Sequence, residues 1–269
     1  MQQQVVLITG GSSGIGKSIG HHLQSKGLKV YGTSRDISKH SDFKAFQLLQ
    51  LEVSDPNSVR SAVEAVIERE GRLDVLVNNA GVGITGPIEE TPHEEIRKAF
   101  DINFHGPIHV AKAVLPQMRL QKSGLIINIT SIAGYMGLPY RGVYSATKSA
   151  LIMVTEALRL EVKDFGIDVV TLAPGDFATN IASGRYHAAI DSESPYHEVY
   201  ERTLTMIDKD VNTAEDPASV ARKVLEIIRR RNPNVHYKVG SWLQKFSVVL
   251  KGILPNKIYE KLLLKHYKL

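Results

Sequence analysis

Val5-Val6-Leu7-Ile8-Thr9-Gly10-Gly11-Ser12-Ser13-Gly14-Ile15-Gly16 reads as a buried strand, a glycine-rich turn and the opening of a helix. The four apolar residues, three of them β-branched, form the short uninterrupted run expected of a parallel strand covered on both faces. A helical pattern then continues to about Lys26, where Gly27 stops it. Glycines in such a turn let the backbone approach a pyrophosphate, and the helix N-terminus behind them supplies N–H groups and positive potential. The spacing here is G-x-x-x-G-x-G and departs from G-x-G-x-x-G, so the loop alone leaves a phosphate cradle and a tight turn both open.

Working outward, strands and helices alternate. Leu28–Ser34 reads as a second strand, ending in Arg35-Asp36, and Phe46–Leu51 as a third. A helix over Pro56–Gly71 has Asp55 as its N-cap and proline at its first position. Leu73–Val77 is a strand running into Asn78-Asn79-Ala80-Gly81, and two helical patterns follow, broken around Gly106-Pro107. Then come a strand over Leu125–Ile129, a helix over Val143–Asp164 and a strand over Ile167–Leu172 that runs into Ala173-Pro174-Gly175. A helix near Pro217–Arg231 and a strand near Val235–Val239 complete the pattern. The expected fold is α/β: a single Rossmann-type, doubly wound parallel sheet with helices on both faces over residues 1–240, followed by a C-terminal helical extension over 241–269. No repeat, low-complexity tract or linker divides the chain.

Composition fits one globular domain: 269 residues, 43% hydrophobic and 23% charged. The absence of cysteine excludes disulfides, thiolate nucleophiles and Cys-based metal sites, and no metal site is expected. Neither a signal-peptide pattern nor a long apolar run is present, so the expectation is a soluble, cytoplasmic protein. Charge is unevenly placed. Residues 221–269 carry twelve Lys/Arg against Glu226 and Glu260, a net +10, which leaves −5 on the first 220 residues of a chain that totals +5. A basic end suits nucleic acid or anionic lipid, but no aromatic–basic constellation points to nucleic acid.

Tyr144-Ser145-Ala146-Thr147-Lys148 places a phenol and an ammonium one helical turn apart on the same face. A phenol titrates near 10 and is a poor proton donor or acceptor at neutral pH unless a nearby cation favours its ionised form. Taken alone, such a pair is equally a solvated helix face.

The ordered set Thr9-Gly10-x-x-x-Gly14-Ile15-Gly16, Asn78-Asn79-Ala80-Gly81, Asn103, Ser131 thirteen residues before Tyr144, Lys148, and Pro174-Gly175 with Thr179 resembles the short-chain dehydrogenase/reductase family over residues 4–240. In that family the glycine loop has the spacing found here. The resemblance implies an NADP(H)-dependent oxidoreductase that interconverts a carbonyl and a secondary alcohol, with Asn103, Ser131, Tyr144 and Lys148 as the catalytic set. Ser131 and Tyr144 would hold the substrate oxygen, Tyr144 would exchange its proton, and Asn103 would hold a water relaying protons towards Lys148. The cofactor would be bound by Gly10, Ser12, Ser13, Gly14, Ile15 and Gly16, by Ser34 and Arg35, by Glu52 and Val53, by Asn79, Ala80 and Gly81, by Tyr144 and Lys148, and by Pro174, Gly175 and Thr179. Glu52 stands where the family commonly has aspartate. Arg35, with Lys17 nearby, argues for a 2′-phosphate and hence NADP over NAD, although a one-residue shift would bring Asp36 into the same place and reverse the argument. Asn78 reads as a tie between strands.

On the substrate side the expected walls are Val82-Gly83-Ile84, Tyr135–Tyr140 and a mobile lid over Asn180–Asp208, rich in apolar residues and tyrosine. They suit a hydrophobic small-molecule alcohol or ketone. Beyond Trp242, two amphipathic stripes separated by Pro255 and accompanied by lysines leave three readings open: packing beside the substrate cleft, a subunit contact, or peripheral contact with a membrane. The family implies a homodimer or homotetramer. A catalytically inactive NADP-binding sensor or a membrane-peripheral scaffold is the alternative, and the intact Ser/Tyr/Lys set argues against the sensor.

Overall fold

The computed structural model describes residues 3–175, 184–212 and 216–269. In chain order the elements are β1 (Val5–Ile8), α1 (Gly14–Ser25), β2 (Lys29–Ser34), β3 (Gln47–Gln50), α2 (Pro56–Glu70), β4 (Val75–Asn78), β5 (Ile84–Thr85), α3 (His93–Phe100), α4 (Gly106–Gln121), β6 (Gly124–Ile129), α5 (Gly142–Glu161), β7 (Ile167–Pro174), β8 (Tyr186–His187), α6 (His197–Asn212), α7 (Ala218–Ile228), β9 (His236–Val239), α8 (Trp242–Ile253) and α9 (Asn256–Tyr267). Among the described residues seven strands form one parallel sheet in the order β3-β2-β1-β4-β6-β7-β9, as the alternation predicts.

The strands bury both faces because successive side chains point to opposite sides. Val6 and Ile8 of β1, Val75 and Val77 of β4, and Val170 and Leu172 of β7 face α1 and α7, meeting Ile19, Leu23, Val220 and Val224. Their neighbours Val5, Leu7, Leu76 and Val169 face the other way, onto Val59, Val63 and Val66 of α2 and Val110, Val114 and Met118 of α4. Asp55 caps α2 as expected, its side chain accepting from the Asn57 N–H at 2.9 Å, and Gly71 ends the helix at φ 69°.

Two features differ from the sequence pattern. β5 and β8, two residues each, pair in parallel as a separate small sheet, too short to show any periodicity. The break expected at Gly106-Pro107 is a single π turn, Asp101–His105, inside a helical run that continues from α3 into α4. Pro107 has no N–H to return to the Asn103 carbonyl, and the ladder widens there, with Gly106 N–H bonding to the Asp101 carbonyl. The part of the expected lid that is described carries hydrogen bonds to the body. The Tyr200 hydroxyl donates to the Thr85 carbonyl at 3.0 Å, Ser194 to Glu90 at 2.6 Å and Tyr196 to Glu89 at 2.6 Å.

Asn78 ties strands together, as its position suggests. Its Nδ2 donates to the Pro107 carbonyl at 3.1 Å and to Asn128 Oδ1 at 2.9 Å, and Asn128 Nδ2 donates to Thr155 Oγ1 at 2.8 Å. All three side chains are buried, so cutting the middle one leaves donors and acceptors unpaired away from water. Asn128→Ala is expected to lower stability by about 2–4 kcal/mol, measured as a shifted urea midpoint at unchanged slope.

Candidate active site

The strand order reverses between β1 and β4, and in open parallel sheets the crevice beyond that point receives the ligand. Two loops meet there: the glycine turn after β1 and Asn79-Ala80-Gly81 after β4. Thr9 joins them, its Oγ1 accepting from the N–H groups of Asn79 and Ala80 at 2.9 and 3.0 Å. Asn79 returns the contact by donating through Nδ2 to the carbonyls of Thr9 and Gly10 at 3.0 and 3.2 Å. The turn needs its glycines. Gly10 has φ 63°, and a Cβ on Gly16 would lie 2.3 Å from the Gly10 carbonyl oxygen. Ser13, the N-cap of α1, makes no side-chain capping bond, and the first turn carries no acidic residue. The first N–H groups of α1 therefore face the crevice without a capping side chain, the arrangement that receives a phosphate.

At the end of β2, Arg35 is exposed and forms no ion pair among the described residues. Asp36 is turned to local work: its Oδ1 accepts from the Ser38 N–H at 3.0 Å and from the Ser38 hydroxyl, which holds the carboxyl below its usual range. Ser34 Oγ donates to the Asp36 carbonyl at 3.2 Å. Glu52 is likewise engaged nearby, its Oε1 accepting from Ser54 Oγ at 2.9 Å, while Val53 is buried beside it.

Ser131 lies two residues past the end of β6 and caps a short 3₁₀ turn, its Oγ accepting from the Ala133 N–H at 3.1 Å. That bond occupies a lone pair and leaves the hydroxyl proton to be donated elsewhere. On α5, Tyr144 is half-buried, with the Lys148 Nζ 5.9 Å and the Arg141 guanidinium 5.7 Å from its ring centre. Lys148 is 5% exposed, and its ammonium donates to the Ile129 carbonyl at 3.1 Å. Burial pulls its pKa from 10.5 down to about 8. Asn103, in the π turn, is fully buried. Its Oδ1 accepts from the Val82 N–H at 2.8 Å, and its Nδ2 donates to the Val82 carbonyl at 2.9 Å and Thr147 Oγ1 at 3.2 Å. The side chain is thus spent on joining the loop after β4 to α5. A Cβ on Gly81 would touch both Asn103 Oδ1, at 3.0 Å, and Lys148 Nζ, at 3.4 Å, so the loop, the π turn and α5 converge on one point. Thr179 lies outside the described residues.

From Ser131 a cavity of ≈ 580 Å³ extends between the body and the C-terminal helices. Met136, Leu138 and Ile207 line it from the body, and Leu250, Tyr259 and Leu263 from α8 and α9. Tyr259 is buried and donates its hydroxyl to Met136 Sδ at 3.0 Å. Gln244, at the start of α8, sits against Gly175, where a Cβ would lie 2.1 Å from its Oε1. Of the three readings open for the last 29 residues, packing beside the cleft is what their inner faces do.

A family model described as short chain dehydrogenase matches residues 4–189. The chain belongs to the short-chain dehydrogenase family. It is therefore an oxidoreductase by family. The 3-ketodihydrosphingosine reductase of Bacteroides thetaiotaomicron is 40% identical to it over 261 residues, covering 97% of this chain and 96% of that protein. The NADPH-dependent 3-dehydrocapnine reductase of Ornithobacterium rhinotracheale is 32% identical over 278 residues, covering 97% and 96%. Among solved structures, a short-chain dehydrogenase from Streptomyces avermitilis superposes with a TM-score of 0.82 at 30% identity, covering 100% of this chain and 97% of that one. The structure of ElxO with NADP bound superposes with a TM-score of 0.72 at 29% identity, covering 88% and 97%.

Thr147, a site residue of this short-chain dehydrogenase, carries no sequence signal of its own. Thr9 belongs to the glycine-loop motif, but the part its hydroxyl plays in joining the two loops is set by the fold. Arg141 has a readable cue, lying three residues before Tyr144 at the N-cap of the same helix.

Lys148 gives a stability test. Its folded value lies below the unfolded one, so between about pH 8 and 10.5 the unfolded chain binds the additional proton and stability rises with pH. Below pH 8 the burial penalty, on the order of 3 kcal/mol, is present in full. Lys148→Met is expected to raise the melting temperature of the cofactor-free protein by about 5 °C at neutral pH. The gain should vanish as the wild type is titrated through that window.

Proposed function

We propose that this chain is an NADP(H)-dependent reductase of ketones carried on long-chain, lipid-like molecules, the same groups serving the reverse oxidation. The observation that carries the reading is the mostly apolar cavity of ≈ 580 Å³ that begins at Ser131 and runs between α8 and α9. A ketone held at the Ser131 hydroxyl has an apolar sleeve behind it for an aliphatic tail. The relative named as a 3-ketodihydrosphingosine reductase, matched over nearly the whole chain, supports a sphingoid-type ketone as the substrate class.

The glycine turn and the uncapped start of α1 fit a pyrophosphate, and bound NADPH would supply the hydride. Gly10, Ser12, Ser13, Gly14, Ile15 and Gly16 would hold that pyrophosphate. Arg35 would pair with a 2′-phosphate, a role favoured by its exposure and by the engagement of Asp36 with Ser38. Ser34, Glu52 and Val53 would lie along the adenosine, and Asn79, Ala80, Gly81, Pro174, Gly175 and Thr179 towards the nicotinamide end. Ser131 donates its free proton to the substrate carbonyl and stabilises the charge that develops there. Tyr144 gives its proton to the same oxygen as general acid. Lys148 spends one N–H on Ile129 and keeps two for the ribose hydroxyls and for the field at the Tyr144 oxygen. Asn103 acts through its main-chain carbonyl, which Pro107 cannot satisfy and a water can. Exposed Leu120, Met153 and Leu160 on α4 and α5 support a homodimer or homotetramer built on these helices.

Turnover is followed as NADPH consumption with 3-ketodihydrosphingosine and with ketones of shorter tail. Efficiency should rise about fourfold per added methylene until the cavity is filled; a flat response would overturn the lipid reading. Tyr144→Phe is expected to lower kcat by about 10²–10⁴-fold while NADPH affinity stays within a few-fold. Arg35→Ala should cut kcat/KM for NADPH by about 10–100-fold and leave the NADH reaction unchanged.

A further inference from the structure

α8 is apolar on both sides. It supplies Val248 and Leu250, and Leu254 just past its end, to a cluster with Ile132, Met136 and Tyr259. Its outer face carries Trp242, Phe246, Val249 and Ile253, at helical spacing and 71%, 37%, 49% and 69% exposed, with the Trp242 and Phe246 rings stacked 4.9 Å apart. An apolar stripe of this length is normally covered, and among the described residues nothing covers the outer one. α9 repeats the pattern with Ile258 and Leu262, 49% and 46% exposed.

We propose that the outer faces of α8 and α9 dock on an anionic lipid bilayer. Charge selects this occupant. Residues 241–269 carry six lysines against the single side-chain carboxylate of Glu260; Lys245, Lys257, Lys261 and Lys265 are exposed on the same two helices as the stripe, and exposed Lys268 follows α9 directly. A symmetric contact with a second copy would set these lysines against one another, whereas anionic head groups attract them. The contact is peripheral. Each helix has twelve residues, about 18 Å of length, and no helix among the described residues is long and apolar enough to cross a membrane. The position of the cavity agrees. Leu243 and Leu262 line it yet are 66% and 46% exposed, so its mouth opens between α8 and α9 on this side. Docking stands on the stripe and its charges alone; entry of an aliphatic substrate through that mouth rests on the proposed reaction.

Trp242 is the one tryptophan of the chain, so the intact chain reports its own docking without substrate or cofactor. Adding vesicles of phosphatidylcholine and phosphatidylglycerol in equal parts is expected to shift its emission to the blue, shield it from iodide and co-sediment the protein. Pure phosphatidylcholine vesicles should bind at least about tenfold more weakly. Val249→Ser with Ile253→Ser, and separately Lys257→Glu with Lys261→Glu, should each lower partition onto anionic vesicles by about tenfold or more. Turnover of a short soluble ketone should stay unchanged. No shift with anionic vesicles, equal binding to neutral ones, or undiminished binding by both variants would overturn the proposal. So would a halved solution mass of the Val249/Ile253 variant without vesicle binding, which would make a second copy the occupant. Loss of reductase activity with docking intact would count against the proposed reaction only.

Discussion

An ammonium buried without a carboxylate partner among the described residues is what the centre of this molecule is built to tolerate. Lys148 leans on one carbonyl, that of Ile129 at the end of β6, and its burial costs the fold stability at neutral pH. A free-standing helix would not hold such a group out of water. Here β6, the loop after β4, the π turn and α5 enclose it, and each is fixed by buried polar bonds. Thr9 locks the two loops together, Asn103 joins a loop to a helix, and Asn78, Asn128 and Thr155 tie two strands to α5. These bonds are stiff because each unmade partner would be stranded away from water. A site this well braced holds a charge that solvent would otherwise claim.

The same bracing explains which features are legible in the sequence. Strands such as Val5–Ile8 and Leu125–Ile129 announce themselves because both faces are covered, and the glycine turn and Asp55 cap rest on local backbone chemistry. Ser131, Tyr144 and Lys148 stand out by spacing. The roles of Thr9, Thr147 and Asn128 do not, because a buried threonine or asparagine gains meaning only from what the fold sets opposite it. The β5–β8 pair was illegible for another reason: two residues carry no period, and their partner lies 102 residues away. The lid expected over Asn180–Asp208 rests on apolar residues and tyrosine with a serine-rich break, and within it Tyr200, Ser194 and Tyr196 bond to Thr85, Glu90 and Glu89. Composition shows that a segment has hydroxyls, not where they bond.

The C-terminal helices show how one element can serve two surfaces. Apolar residues on their inner side complete the cavity wall, and Gln244 presses on the backbone of Gly175 at the end of β7. Sequence periodicity registered the apolar positions of α8 without sorting them by side, since Val248 and Val249 are adjacent letters with opposite surroundings. The cavity begins at the Ser131 hydroxyl and ends between two lysine-rich helices, so its shape and the surface charge belong to the same segment.

The π turn at Asp101–His105 holds one residue more than an α-helix would need to cover the same path. Removing one residue there would let α3 and α4 join as a regular helix with Val110 and Val114 still against the sheet. What would be lost is the local widening that turns Asn103 towards Val82 and Thr147. Surface loops of this chain have room for insertions and deletions; in this stretch the fold has room for one deletion and the site has none.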